Sequence, residues 1–116
     1  MTKRFTKSRR LRLPNEFLAV KKGGVRVREG ILVLGFLPGG RRRLGIVASR
    51  NVGCAVERNR LKRVVREFFR INGALFPEGD CVVIPGRGAA SLENEELRDL
   101  LRRSLEKLNK RLVKKP

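Results

Sequence analysis

Arg58, Asn59, Arg60, Lys62, Arg63 and Arg66 crowd into one short stretch of the chain. The chemistry of these types is anion binding: guanidinium forks and an ammonium supply charge, and the Asn amide both donates and accepts. From Glu57 to Arg70 the segment reads as a helix, each residue advancing about 100°. Leu61, Val64, Val65, Phe68 and Phe69 then fall within an arc of about 140°, which marks one buried face. Arg58, Lys62, Arg66 and Arg70 step by four and form a ridge, with Asn59 and Arg63 beside it and Arg60 further round. Like charges at i,i+4 cost a few tenths of a kcal/mol each. Only Glu67 lies within reach of the ridge, and Glu57 stands at its start. A solvated basic face is the ordinary reading of a charge run, but such density with so few counter-charges points to a polyanionic partner.

Composition agrees. The 116 residues carry 29 Lys and Arg against 11 Asp and Glu, a net charge of +18. That excess fits a nucleic-acid binder, an anionic membrane surface being the other class. With 41% hydrophobic residues the chain can bury a core as one small domain. No apolar run approaches the roughly 18 residues of a membrane span, and no signal-peptide core opens the chain, so the expected location is the cytoplasm.

Catalytic chemistry is scarce. There is no histidine, which excludes imidazole acid–base catalysis. Cys54 and Cys81 have no CxxC partner, so a Cys/His zinc site lacks ligands; both read as buried, reduced thiols. Glu57, Glu67, Glu78 and Asp80 are scattered, and the last two flank a turn. Gly39-Gly40 and Gly86-Arg87-Gly88 lack the Lys-Ser/Thr of a phosphate loop. No catalytic residue and no protein metal site is predicted. With no Trp or Tyr, base stacking falls to Phe or to an Arg plane.

The elements that hold the basic helix follow in order. Residues 1–12 form a basic arm. Pro14 suits the first turn of a short helix over Asn15 to Lys22, which Gly23-Gly24 stops. Val25 and Val27 alternate with Arg26 and Arg28, the period of a strand. Gly30 divides this strand from the apolar run Ile31 to Leu37, and Pro38-Gly39-Gly40 turns into a third strand that runs to about Ser49. Short connections suggest antiparallel pairing of consecutive strands. A loop from Arg50 to Ala55 enters the basic helix, which Asn72-Gly73 ends. Cys81 to Ile84 is an interior strand, and Ser91 caps a last helix with a stripe from Leu97 to Leu112. The order α-β-β-β-α-β-α makes an α/β (α+β) two-layer sandwich in one domain, residues 1–116.

The run Arg58-Asn59-Arg60-Leu61-Lys62-Arg63-Val64-Val65-Arg66-Glu67 resembles the arginine-asparagine-arginine signature of the protein subunit of bacterial ribonuclease P. The lead-in from Arg43 to Arg50, then Val52 to Val56, is similar to that family, as is Arg10 to Leu13 with Asn15-Glu16-Phe17. The likeness runs from about Phe5 into the last helix. It implies the same element order, with a left-handed strand–helix–strand crossover where the general rule gives the right-handed form. It implies that the catalytic RNA performs Mg2+-dependent removal of the 5′ leader from precursor tRNA, while the protein binds both RNAs. Arg58, Asn59, Arg60, Lys62, Arg63 and Arg66 would face the catalytic RNA. Phe17, Lys21, Ser49 and Arg50 would line a cleft for the leader. Lys21 stands where the family often has a second Phe, Asn51 where a basic residue is common, and Cys54 where Asn is common.

Other classes account for less of the chain. A structural RNA-binding protein shares the composition but not the motif. A DNA-binding module lacks a helix-turn-helix partner before the basic helix, and no DNA partner is expected. A membrane-surface helix leaves the strands and the leucine stripe unexplained.

Overall fold

The computed structural model describes residues 10–11 and 14–114, without the side chains of Pro14 and Lys114. Most of the basic arm expected over 1–12 therefore lies outside the described residues. Among these residues three α-helices accompany four strands: α1 is Pro14–Gly23, β1 Val25–Glu29, β2 Leu32–Pro38, β3 Arg43–Ile46, α2 Ala55–Ile71, β4 Gly79–Pro85 and α3 Asn94–Lys114. The predicted α+β order is the observed one.

The hairpin between β1 and β2 follows from its turn. Glu29 pairs with Leu32, leaving Gly30 and Ile31 to reverse the chain. Gly30 takes φ of +58°, which a residue without Cβ adopts freely. The sheet order is β1-β2-β4-β3. β1, β2 and β4 pair antiparallel, while β3 runs parallel to β4. The short connection of β2 to β3 therefore does not make them neighbours, because β4 lies between them. The reason is apolarity: Cys81, Val82 and Val83 are all buried, so β4 fills an interior position with both faces covered. The parallel β3–β4 pair needs a crossover, and α2 is that crossover.

Alternation sorts the side chains onto two faces. Leu32, Leu34, Phe36, Leu44, Cys81 and Val83 meet Leu61, Val65 and Phe69 of α2 and Leu97, Leu101, Leu105 and Leu108 of α3 in the main core. The apolar arc of α2 and the leucine stripe from Leu97 to Leu108 are buried as their spacing predicts, and Leu112 is partly buried at the end of the stripe. On the outer face α1 packs Val20 against Val82, with Leu11 in the same cluster. The two-layer description holds for the main core, and α1 adds a partial layer outside it. Gly45 permits the close approach of α1, since a Cβ there would come within 2.6 Å of the Phe17 ring.

Two local expectations change. Ser91 does not cap α3: it belongs to a 3-10 turn, and its hydroxyl donates to the Gly88 carbonyl at 2.9 Å. Glu93 precedes the helix instead, its N–H donating to Glu96 Oε1 at 2.9 Å. The cysteines also differ from each other. Cys81 is buried in the sheet, and desolvation pushes its thiol up to about 12. Cys54 is exposed at the N-cap of α2, where the chain turns into the helix and cannot be covered by it.

Candidate nucleic-acid interface

α2 presents its cations because its opposite face is anchored. Leu61 and Val65 are fully buried, which fixes the rotation of the helix. Asn59, Arg63 and Arg66 are exposed, and Arg58 and Lys62 are half-buried. Arg58 keeps a buried Nε that no group among the described residues accepts from. The first turn is held by Cys54 N–H donating to Glu57 Oε1 at 3.0 Å. That bond keeps the Glu57 carboxyl below its usual value.

The ridge does not stand alone. The N–H of Leu11 donates to the Leu44 carbonyl at 2.9 Å, so the chain at Arg10 bridges onto the free edge of β3. Arg10, Lys62 and Arg66 then border one hollow of about 160 Å³ whose floor is Leu44, Gly45 and Ile46. Cations from two elements remote in sequence thus converge beside the sheet edge. A hollow bordered by three cations is suited to a polyanion.

Two arginines of the basic stretch are engaged within the protein. Arg60 donates from Nη1 to Asn94 Oδ1 at 2.6 Å, and from Nη2 to the carbonyls of Ala90 and Leu92, both at 2.9 Å. It ties α2 to the segment that enters α3, consistent with its position further round the helix. Arg70 pairs with Glu67 one turn earlier, which takes the end of the ridge out of play.

The second concave surface lies under α1. Phe17, Leu18 and Lys21 form one wall of a cleft of about 520 Å³, and Gly35, Val82 and Ile84 of the sheet lie across from them. Arg26 and Val47 complete its rim. Leu18 and Val47 are 48% and 40% exposed, unusually open for large aliphatic groups that share one hollow. Of the expected leader-binding residues, Phe17 and Lys21 line this cleft. Ser49 and Arg50 do not; they are exposed just beyond Val47, where Arg50 opens a 3-10 turn. Leu18, Arg26, Val47, Val82 and Ile84 were not anticipated. For Arg26 a signal existed, since its alternation with Val25 and Val27 sets it on the face opposite the core.

The wall is fixed by one ion cluster. Arg43 Nε and Nη2 both reach the Asp80 carboxylate at 2.8 Å, and Nη1 reaches Glu16 Oε2 at 2.6 Å. The Asp80 contact, first among the causes, raises the Arg43 guanidinium above its ordinary value. Asp80 therefore acts within β4, not as a turn residue, and Glu16 ties α1 to the sheet one residue before Phe17. These carboxylates are committed to Arg43. Among the described residues no three His, Cys, Asp or Glu side chains gather as a metal-ligand set. No helix among the described residues is long and apolar enough to cross a membrane.

Known proteins share this arrangement. The Ribonuclease P family pattern matches residues 5–109. The ribonuclease P protein component of Thermotoga maritima is 47% identical over 88 residues, covering 73% of this chain and 75% of that protein. The corresponding protein of Desulforapulum autotrophicum is 37% identical over 114 residues, 95% of this chain and 93% of its own. The solved RNase P protein of Staphylococcus aureus superposes with a TM-score of 0.83 at 27% identity, covering 88% of this chain and 96% of that one. The Thermotoga maritima protein, solved in complex with 1-(4-fluorophenyl)-2-thiourea, gives 0.76 at 38% identity over 83% and 96%. The order of elements, the basic crossover helix and these matches together place the chain in the ribonuclease P protein family.

Proposed function

We propose that this chain is the protein component of a bacterial ribonuclease P and binds two RNAs on two surfaces. The exposed side of α2, with Arg58, Asn59, Lys62, Arg63 and Arg66, meets the catalytic RNA together with Arg10 at the β3 edge. Arg60 serves that surface from behind, by holding α2 against the start of α3. The cleft under α1 receives the 5′ leader of precursor tRNA, with Phe17 as a stacking surface and Lys21 and Arg26 as phosphate contacts. Ser49 and Arg50 meet the strand just outside the cleft. The observation that carries this reading is the convergence of Arg10, Lys62 and Arg66 on one hollow, separate from a cleft lined mostly by apolar groups.

The chain supplies affinity, and the RNA supplies the reaction. The lack of histidine and the commitment of Glu16 and Asp80 to Arg43 support assigning phosphodiester hydrolysis to the RNA subunit and its Mg2+. The product is a tRNA with a mature 5′ end. The protein is expected to act in the cytoplasm as a single domain. Its binding to the catalytic RNA should be steeply salt-dependent: five cationic phosphate contacts correspond to a loss of roughly 500-fold between about 50 and 200 mM salt.

The test is cleavage of a 5′-extended precursor tRNA by a bacterial ribonuclease P RNA at low Mg2+, with and without this protein. Stimulation only when both are present supports the assignment. Unchanged RNA activity alongside tight binding to ribosomal RNA would replace it with a structural RNA-binding role. Cleavage by the protein alone would show an active site on this chain.

A further inference from the structure

The β1 edge of the sheet carries a second cationic hollow. This groove of about 510 Å³ is lined by Arg26, Val27, Arg28, Val33, Lys107 and Arg111. Arg26 borders both the groove and the cleft under α1. The two hollows therefore adjoin at this one residue. Their linings differ in kind. The cleft offers a ring and aliphatic side chains, suited to bases. The groove offers four cationic residues over Val33 and the buried Val27, suited to a sugar–phosphate backbone.

The placement of these cations follows from the elements. Arg26 and Arg28 are two apart on β1, so they point to the same outer face, about 6.6 Å apart along the strand. Lys107 and Arg111 are four apart on α3 and share one face of that helix. Lys107 Nζ donates to the Arg28 carbonyl at 2.7 Å, and Arg111 Nη1 donates to the Arg26 carbonyl. The helix thus caps the open carbonyls of an edge strand that would otherwise invite strand pairing. Those bonds hold the two cations at the rim and leave further donors on each group. Glu29 offsets part of the charge, lying 3.1 Å from Lys107 and 3.8 Å from Arg103. Arg26, Arg28 and Arg111 are all exposed.

We propose that a single RNA strand leaving the cleft continues past Arg26 into this groove. The groove is then a distal subsite for the backbone of longer 5′ leaders, recognised by charge and not by sequence. The inference rests on the leader-binding reading of the cleft. It adds a length dependence: a leader that reaches only the cleft gains nothing from β1 and α3, whereas a longer one gains phosphate contacts there.

The experiment measures the affinity of the reconstituted RNA–protein holoenzyme for precursor tRNAs that differ only in leader length, across a salt series. The unmodified protein should bind the long-leader precursor more tightly than the short at low salt, and that advantage should shrink about sevenfold between about 50 and 200 mM salt, as two added single-strand phosphate contacts require. Arg28→Gln combined with Arg111→Gln should erase that advantage and reduce the salt slope for the long leader by about 1.4. Binding of the short-leader precursor should not change. Arg28→Gln alone leaves both carbonyl caps in place and should erase about half of the effect on a logarithmic scale, which guards against a folding defect in the double variant. Equal weakening of short and long leaders, or weaker binding of the catalytic RNA alone, would overturn the distal subsite. So would the absence of any long-leader advantage in the unmodified protein. If the protein fails to improve the binding of even the short-leader precursor, the leader-cleft reading itself fails, and that outcome is separable from the others.

Discussion

The exposed ridge of α2 and the cleft under α1 are built by opposite means. The ridge comes from one continuous helix whose period places Arg58, Lys62 and Arg66 in line, and folding adds Arg10 at its border. The cleft draws Phe17, Arg26, Gly35, Val47, Val82 and Ile84 from α1, three strands and the end of a fourth. The ridge acts through charge, which reaches about 10 Å at moderate salt and is screened beyond it. The cleft is lined mostly by apolar groups that act by contact, with Lys21 and Arg26 adding a smaller salt-dependent part. Under the proposed function, one RNA is held durably and another transiently, and this division would let each surface be tuned without disturbing the other.

The division can be broken most severely from inside. Leu61 is fully buried beneath the ridge, so Leu61→Ala should cost about 2–5 kcal/mol of stability. Both surfaces should weaken together, which denaturant unfolding alongside RNA binding would reveal. A loss confined to one RNA, with stability intact, would mean that the two surfaces do not share this core. Next comes the ridge itself. Lys62, Arg63 and Arg66 make no ion pair among the described residues. Replacing all three with Ala should weaken binding of the catalytic RNA roughly thirtyfold near 0.2 M salt and flatten its salt slope by about 3. The thermal midpoint should stay where it is.

A smaller effect belongs to the cleft. Phe17 lies half-buried against Gly45, so at most one ring face is open to a base. Phe17→Ala should cost about 1 kcal/mol in precursor affinity, the lower end of the range for base stacking. The salt slope and the catalytic-RNA affinity should remain unchanged. A change in slope on Phe17→Ala would mean that the ring positions a cation and does not stack.

Periodic signals were the readable ones. The arc from Leu61 to Phe69 and the α3 leucines from Leu97 to Leu108 are buried as their spacing dictates, because a helix of 17 or 21 residues repeats its pattern several times. Strand positions were readable, but not strand partners: nothing local in β3 shows that β4, some 35 residues later, will separate it from β2. Arg43 entered the sequence reading only at the start of a strand and of the family-like lead-in, and its pairing with Glu16 and Asp80 required three elements to be assembled first. Arg60 had a sequence clue in its angular offset, yet its acceptors are backbone carbonyls of a turn that no pattern announces. The ridge was therefore largely legible. The cleft was legible only at Phe17 and Lys21, and only through family resemblance.

The subtlest expected effect sits where the two readings touch, at the first turn of α2. The Glu57 carboxyl is held below its usual value, chiefly because the Cys54 backbone N–H donates to it. A depressed carboxyl contributes its stabilising bond above the ordinary value near 4.3 and loses it as pH falls through the lower, folded value. The Cys54 amide signal should therefore titrate with a midpoint below the usual Glu range, and the first turn should fray on the acid side of it. Glu57→Gln keeps an oxygen acceptor but has no proton to gain, so the same signal should stay flat with pH. Arg58 and Asn59 follow directly on this cap. Binding of the catalytic RNA should accordingly weaken slightly at acid pH in the parent protein and not in the variant. A Cys54 amide that titrates identically in both would assign the acid sensitivity to another carboxylate, and would detach the order of the ridge from its cap.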